Sequence, residues 1–564
     1  MKQKTILCGL LGLVAGAVGS LTVLSSCTSS QDVAQNVPTT PGNPFLPLWE
    51  HIPDGEPYVF EDPDQPGKYR VYLYGSHDNL VSAYCGRDQV VWSAPVEDLS
   101  HWRYDGVIFS VNKNANGELF TPDSLADVLF APDVTLVTAP DGTKTYYLYP
   151  NDQAGGRNGL VAKSSRPDGP FEVCNWSKEN PNETDGVLRF DPAVFVDDDG
   201  RVYGYWGFER SYAAELDPVT MATVKPGTEI VEDMVSGRYQ DGIFSFFEAS
   251  SIRKIKDKYI FIYSRFTKDG EFGLPVSNYT LAYAYSDHPL GPWTYGGTII
   301  DGRAREVNEQ GDTIASATPD GNTHGSICEI NGQWYVFYHR QTGLDEYSRQ
   351  AMVAPIEVNV EEGAGGKVEI SEGEYTSEGF ALDGLDPLER HSAGIACWYT
   401  GPKVAEHNWP NNKFYGSFVQ ATRFPGEPFK ENTYDLAHNS NPVVNNTDGS
   451  IVGYKYFNFT ATNGKKDVKL LLTLIPEGID GTIEVMADRP WTSQGGISLG
   501  TIELKADMTP LNPIELEVPL PALSELTGKH AIFFKFSAKQ SDEAGTPSDV
   551  KDKPICSLEY LMFK

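Results

Sequence analysis

With 564 residues the chain exceeds what one ordinary core organises, so two folded units are the starting expectation. A hydrophobic share of 40% suffices for globular folding, while a net charge of −32 excludes a protein built to grip nucleic acid, which needs cationic surface. The seven cysteines show neither metal-ligand spacing nor a disulfide framework, and the five beyond Cys27 are expected to be mostly buried and inert.

Lys2 and Lys4 precede the apolar run TILCGLLGLVAGAVGSLTVL, which stops at SSC. That layout is a secretory signal over residues 1–27. Leu24-Ser25-Ser26-Cys27 resembles the lipobox of bacterial lipoproteins, which implies that Cys27 becomes the lipid-bearing N-terminus. The implied location is the bacterial outer membrane, on its periplasmic or cell-surface face, with the lipid as the membrane contact. The competing reading is a plain transmembrane anchor; the many Gly and Ala, and a Cys where the apolar run ends, count against it. Residues 28–42 are polar and Pro-rich, a flexible tether.

From residue 43 the sequence becomes a series of strands. KYRVYLYGSHD, KTYYLYPND, RVYGYWG, KYIFIYSR and QWYVFYHR each alternate aromatic or β-branched residues with a period of two. Their tyrosines Tyr69, Tyr146, Tyr203, Tyr259 and Tyr335 recur at intervals of 77, 57, 56 and 76 residues, long enough for a four-stranded blade. Between 11 and 15 residues before each stands one titratable group: Asp54, Asp133, Asp191, Glu248 and His324. Any one of these is explained as a turn-capping residue. Five in phase point instead to a five-bladed β-propeller over residues 43–385, whose innermost strands open at one mouth.

A mouth lined with carboxylates suits hydrolysis of glycosidic bonds. That reaction needs a protonated carboxyl for the leaving oxygen and a second carboxylate across the bond, with pKa values driven apart by their surroundings. Glu248, flanked by Phe246 and Phe247 in GIFSFFEASS, has the apolar setting that keeps an acid protonated. Asp54, in HIPDGEPYVF, is expected in an open turn accessible to water, as a base requires. Asp191 is a third carboxylate able to raise the acid's pKa by its charge.

Past the Gly- and Glu-rich connector EEGAGGKVEISEGEYTSEG the texture changes again. DVKLLLTLIP, GTIEVMADRP, GTIELKAD, PIELEVPL, GKHAIFFKFSA and CSLEYLMFK are short alternating strands parted by turns, the pattern of a β-sandwich over residues 390–564. Nothing in the mature chain has the period of a long amphipathic helix. The fold class is all-β.

Taken together, FAPDVTLV, FDPAVFVDDDGRVYGYWG, FEASSIRKIKDKYIFIYS, HGSICEINGQWYVFYHR and SRQAMVAP resemble successive blades of glycoside hydrolase family 43, from about Pro44 to Val358. The resemblance implies a five-bladed propeller that inverts at the anomeric centre and acts mostly on α-L-arabinofuranosides and β-D-xylosides. It implies Asp54 as general base, Asp191 as modulator of the acid's pKa, and Glu248 as general acid. It implies Arg349 as a holder of sugar hydroxyls and His324 as the axial histidine beside a metal ion or water. No cofactor is required, but a structural calcium ion at the propeller centre fits the resemblance. Two motifs depart from the family pattern. PDGEP stands where the family has DPS, which leaves Glu56 as a rival base, and EAS stands where it has EGP. Asp133 occupies the APD position, with a subsite or a blade-structural role.

Trp92, Phe130 and Phe247 are candidate walls of the sugar site, with core packing as the alternative. His77 and Asp78 follow a central strand and are candidates to reach a hydroxyl. Asp197 to Gly200 reads as a hairpin turn, and His339 and Arg340 as groups that satisfy backbone. The sandwich is similar to carbohydrate-binding modules of the family 6 type, with Trp398, Trp409, Tyr415 and Trp491 as stacking candidates. The expected function is release of terminal sugars, foremost α-L-arabinofuranose, from plant-type polysaccharides or oligosaccharides. The alternatives are a β-D-xylosidase, a β-D-galactofuranosidase, a silent sugar-binding propeller, or a related fructan hydrolase, whose NDPNG motif PDGEP matches poorly.

Overall fold

Four of the sequence repeats become four-stranded antiparallel sheets and the fifth a three-stranded one, each with its titratable residue at or near the start of its first strand. The computed structural model describes residues 39–564 except 81–82, 111, 120–127, 154–156, 158, 319–320, 422–440, 466, 510–511 and 540–550. The expected signal and Cys27 therefore lie outside the described residues. Blade 1 is β1 (Glu56–Glu61), β2 (Tyr69–Tyr74), β3 (Asp88–Pro95) and β4 (Arg103–Ser110). Blade 2 is β5 (Asp133–Thr138), β6 (Lys144–Tyr149), β7 (Ala162–Ser164) and β8 (Glu172–Val173). Blade 3 is β9 (Ala193–Val196), β10 (Val202–Trp206), β11 (Tyr212–Leu216) and β12 (Val231–Glu232). Blade 4 is β13 (Phe246–Ile255), β14 (Lys258–Arg265), β15 (Thr280–Ser286) and β16 (Thr294–Asp301). A hairpin, β17 (Arg305–Val307) and β18 (Thr313–Ala315), precedes the three strands of blade 5: β19 (Ser326–Ile330), β20 (Gln333–Gln341) and β21 (Arg349–Ile356). The five anchor tyrosines all fall on the second strand of their blades.

Five apolar seams hold the blades in a ring. Tyr72 and Tyr74 meet Val134 and Leu148; Tyr149 and Val161 meet Val194 and Val202; Tyr203 and Tyr205 meet Phe261 and Tyr263. Ile260 and Leu281 meet Val336 and Met352, and the last seam joins Val71, Leu73 and Trp92 to Phe337 and Val353. Trp92 is thus core rather than a wall of the sugar site: it is fully buried, and its indole N–H donates to Glu50 Oε2 at 2.9 Å. The ring is secured by the side chain of Asn43, whose amide donates to the Val353 carbonyl (2.6 Å) and accepts from the Val353 N–H (3.0 Å), as a strand neighbour would.

A second hairpin, β22 (Val358–Val360) and β23 (Val368–Ile370), leads towards the C-terminal sheets. One sheet holds β24 (His391–Ser392), β26 (Phe418–Val419), β27 (Val443–Asn446), β29 (Lys469–Pro476), β32 (Ile514–Pro519) and β34 (Cys556–Phe563). The other orders β25 (Trp398–Thr400), β28 (Ile451–Asn458), β33 (Lys529–Ala538), β30 (Gly481–Ala487) and β31 (Ile497–Leu504). Along β29, KLLLTLIP, Leu470, Leu472 and Leu474 are fully buried while the residues between them are half-exposed, the alternation of a strand with one inward face. The sandwich core is continuous with the seam between blades 4 and 5. Arg340, fully buried, ties the units together by donating to the carbonyls of Ala396 (2.9 Å) and Gly394 (2.6 Å), so it satisfies backbone across the junction. Trp398 is 1% exposed and packs on Phe533, which removes it as a sugar-stacking candidate.

Candidate active site

At the mouth of the ring lies a cavity of about 180 Å³ lined by Asp54, Asp191, Glu248, His324 and Arg349, with Tyr84, Cys85, Phe130, Ala131, Gln153, Phe190 and Asn322. The residues enter it by local distortions of otherwise regular strands. Asp54 (φ 59°) and Asp191 (φ 45°) sit two residues ahead of β1 and β9 in left-handed conformations, which Asp tolerates better than most side chains. Glu248 lies inside β13 between two shifts of register with β14, and Ala249 after it has φ 68°. A bulge of this kind re-aims a side chain that simple alternation would send elsewhere.

Asp54 is 5% exposed, not open to water as its turn sequence suggests. Ser76 Oγ donates to its Oδ2 (2.6 Å) and Arg349 Nη1 to its Oδ1 (3.1 Å), while its own N–H donates to Nδ1 of His339 (3.2 Å). His339 therefore carries its proton on Nε2, which donates to the Asn322 carbonyl at 2.9 Å. Burial would raise the Asp54 carboxyl, but Arg349, His339, His324 and the Ser76 hydroxyl together outweigh it and hold the group below the usual carboxylate range. The imidazoles of His339 and His324 are each pushed down to about 4 by burial and are neutral at pH 7. Arg349 is fixed in turn by Asp78, which takes both Nε (2.9 Å) and Nη2 (2.8 Å), and its guanidinium lies 5.0 Å from the ring centre of Tyr84.

Opposite charge logic governs Glu248 and Asp191. Burial, then the Asp191 charge, then that of Asp54, drive Glu248 well above the usual range. Asp191 is itself pushed up, to about 8, by burial and by Asp54. Both carboxyls are raised, and hydrogen bonding decides which of them holds a proton more readily. Asp191 accepts from the Ala249 N–H (3.0 Å) and from Asn151 Nδ2 (2.9 Å), donors that favour its anion. Glu248 has no such donor among the described residues and keeps the proton.

Beneath the mouth the axis is plugged by a second polar cluster. Arg253 Nη2 donates to Glu56 Oε2 (2.8 Å), and Tyr58 donates to Asp133 Oδ1 (2.7 Å), whose other oxygen takes the Val194 N–H (2.6 Å). Glu56 and Asp133 are thereby withdrawn from the mouth, which removes Glu56 as a rival base and Asp133 as a lining group. His324 bridges the two clusters, 3.8 Å from Asp191 and 3.9 Å from Glu56. Both of its ring nitrogens and Glu56 Oε1 are buried without a hydrogen-bond partner. That polar gap fits a water. It falls short of a protein cage for calcium, which takes 6–8 oxygen ligands, and no group of three or more ligating side chains occurs among the described residues. A cation there would keep a shell made mostly of water.

The family model for glycosyl hydrolases family 43 matches residues 70–362. A xylosidase/arabinosidase of Thermoclostridium stercorarium is 34% identical over 520 residues, 88% of this chain and 96% of that protein. The chain belongs to glycosyl hydrolases family 43. It is also similar to an arabinoxylan arabinofuranohydrolase of Paenibacillus polymyxa, 25% identical over 530 residues, 89% of this chain and 73% of that protein. Among solved structures, a family 43 arabinoxylan arabinofuranohydrolase from Bacillus subtilis in complex with cellotetraose has 21% identity and a TM-score of 0.42, covering 93% of this chain and 99% of the other.

In this family 43 glycosidase the matched region contains Asp191, Glu248, His324 and Arg349, whereas Asp54 lies ahead of it and is tied to the site by contacts alone. Phe130 lines the cavity as expected, but Phe247 turns to the rim, where it packs on Phe208 and Phe266 at 5.0 and 4.8 Å. His77 is held between Asp88 (2.7 Å) and Glu50 (3.4 Å), and Asp78 is spent on Arg349, so neither reaches for a hydroxyl. Sequence reasoning missed Tyr84, Gln153, Phe190 and Asn322. They stand in loops between blade strands, where no period marks them; only their nearness to strand ends could have drawn attention.

Proposed function

We propose that this glycosidase releases terminal pentose residues, foremost α-L-arabinofuranose, from plant-type polysaccharides or oligosaccharides with inversion. Asp54 is the base that activates water, Glu248 the acid that protonates the leaving oxygen, and Asp191 the charge that keeps the acid protonated. Arg349 and His324 hold sugar hydroxyls, with Phe130 as part of the wall. The observation that carries the reading is one cavity in which the contacts of Asp54 with Arg349, His339 and Ser76 pull its carboxyl down while burial and Asp191 push that of Glu248 up; such divergence assigns acid and base roles. It also disfavours a silent binding propeller, which has no use for it. The relatives' names support arabinose or xylose as the sugar released. The β-D-galactofuranosidase alternative has a relative in Aspergillus niger, 25% identical over 312 residues, 54% of this chain and 77% of that protein.

The reading extends to the cell. A lipidated Cys27 would hold the enzyme at the outer membrane through its acyl chains, since one chain alone gives marginal attachment. The gap beside His324 and Glu56 takes a water or a hydrated cation that orders the axis; no step of hydrolysis passes through it. The sandwich is the candidate sugar-binding unit, with Tyr415 and Trp491 half-exposed. The test is a panel of nitrophenyl α-L-arabinofuranoside, β-D-xyloside and β-D-galactofuranoside, with the first-formed anomer read by NMR before mutarotation. Fastest turnover of the arabinofuranoside with an inverted product is expected. A retained anomer would remove Asp54 as base, and inactivity on all three would favour the binding propeller.

A further inference from the structure

We infer that Trp409, on an arm of the C-terminal sandwich, is the platform for the sugar ring on the leaving-group side of the scissile bond. This rests on the proposed glycosidase reading and deepens it: the sandwich would complete the active site as well as stand beside it.

The arm joins β25 to β26 and folds back on itself where Glu406 pairs with Lys413. Its tip grips the loop between β20 and β21. Asn412 N–H donates to the Leu344 carbonyl (2.6 Å), the Glu346 N–H donates to the Pro410 carbonyl (3.2 Å), and Asp345 bridges to Asn411. His407 adds a contact to Glu346 at 3.4 Å. That loop ends at Arg349, so the arm is anchored at the edge of the cavity by backbone bonds.

Trp409 sits at this tip and is 63% exposed, an unusual state for the largest apolar side chain on a clamped segment. Its indole N–H donates to Tyr84 Oη at 3.3 Å, and Tyr84 in turn donates to Glu346 Oε2 at 2.5 Å. Tyr84 lines the cavity and lies beside Arg349. The indole is therefore held by its edge, next to the pocket, with its ring surface left to solvent. A sugar ring presents an apolar face of C–H bonds and directs its hydroxyls outward in the ring plane, so it covers such a surface without burying unpaired polar groups. The ligand class is the pyranose ring of the chain that carries the terminal residue held in the cavity. A free Trp on a mobile loop would lose ordering entropy on binding; this one is already positioned.

Two variants separate platform from tether. Trp409→Phe keeps a ring and loses the N–H, while Trp409→Gln keeps a donor for Tyr84 and loses the ring. The substrates are a xylo-oligosaccharide bearing one terminal α-L-arabinofuranose, and methyl α-L-arabinofuranoside, which has no second ring. For Trp409→Gln, kcat/KM on the oligosaccharide should fall about 10-fold further than on the methyl glycoside, as expected for loss of an aromatic contact. Trp409→Phe should retain most of the difference between substrates. Equal losses on both substrates, no loss on either, or a larger selective loss for Trp409→Phe than for Trp409→Gln would each overturn the assignment. A wild-type enzyme silent on both substrates would sink the proposed function, and this inference with it, whereas an active wild type with unselective variants sinks the inference alone.

Discussion

Asp54 and Glu248 are both carboxyls buried in one cavity, and the groups facing each set them apart. Arg349 faces Asp54; Asp191 faces Glu248. If Glu248 donates the proton, Glu248→Gln should slow cleavage of sugar–sugar bonds by about 10²–10⁴-fold, the usual worth of general acid help, and spare dinitrophenyl glycosides, whose leaving group departs as an anion. Asp191→Asn removes a negative neighbour, so the Glu248 pKa falls and the alkaline limb of the pH–rate profile moves to lower pH. An unmoved or upward-shifted limb would show that Asp191 does not set the acid. At this scale the sequence was half legible. The carboxylates were visible by their phase, but the environment of Asp54 was misread because its turn residues suggested openness. The Arg349 that closes on it stands 295 residues later. For Glu248 the expected direction holds on other grounds: Phe246 and Phe247 pack elsewhere, and burial with Asp191 does the raising.

Among elements, the inner strands carry the geometry. Period-two alternation announced all five second strands, because half-buried strands must alternate. It did not announce the bulge at Glu248, which exists only relative to the register of β14, nor the left-handed residues that turn Asp54 and Asp191 inward. Where the ring closes, Gly55 pairs with Gly325, and a β-carbon on Gly325 would lie 1.9 Å from the Phe337 carbonyl oxygen. That contact is with backbone, so nothing flexible can yield. Gly325→Ala should cost about 1–3 kcal/mol, as overpacking typically does, and should lower activity because His324 and Asp54 adjoin the two glycines. An unchanged denaturant midpoint would mean that the junction is looser than its spacing indicates.

For the whole molecule, the seam between blades 4 and 5 runs without interruption into the sandwich, and Arg340 is buried between carbonyls of the linking segment. Calorimetry should therefore record one cooperative unfolding transition, and a propeller truncated near residue 385 should expose that seam and aggregate. Two well-separated transitions would show the halves to be independent. The change of texture past the Gly- and Glu-rich connector is plain in the sequence. The shared core is not, because strands on either side of the boundary read identically whether they face each other or water.

Asn43 gains its partner only at Val353, 310 residues further along the chain. During synthesis the N-terminal segment can pack on blade 1, where Phe45 meets Trp102, but this clasp has nothing to close on until the last blade exists. Until then the flank of blade 1 formed by Val71, Leu73 and Trp92 lacks Phe337 and Val353 and has only the N-terminal segment against it, so the growing arc of blades is apolar at both ends. Such long-range closure is slow, and unclosed arcs are prone to associate. A stalled or clipped chain is thus a sticky one at whichever blade it stops, and completeness is enforced by timing as much as by energy.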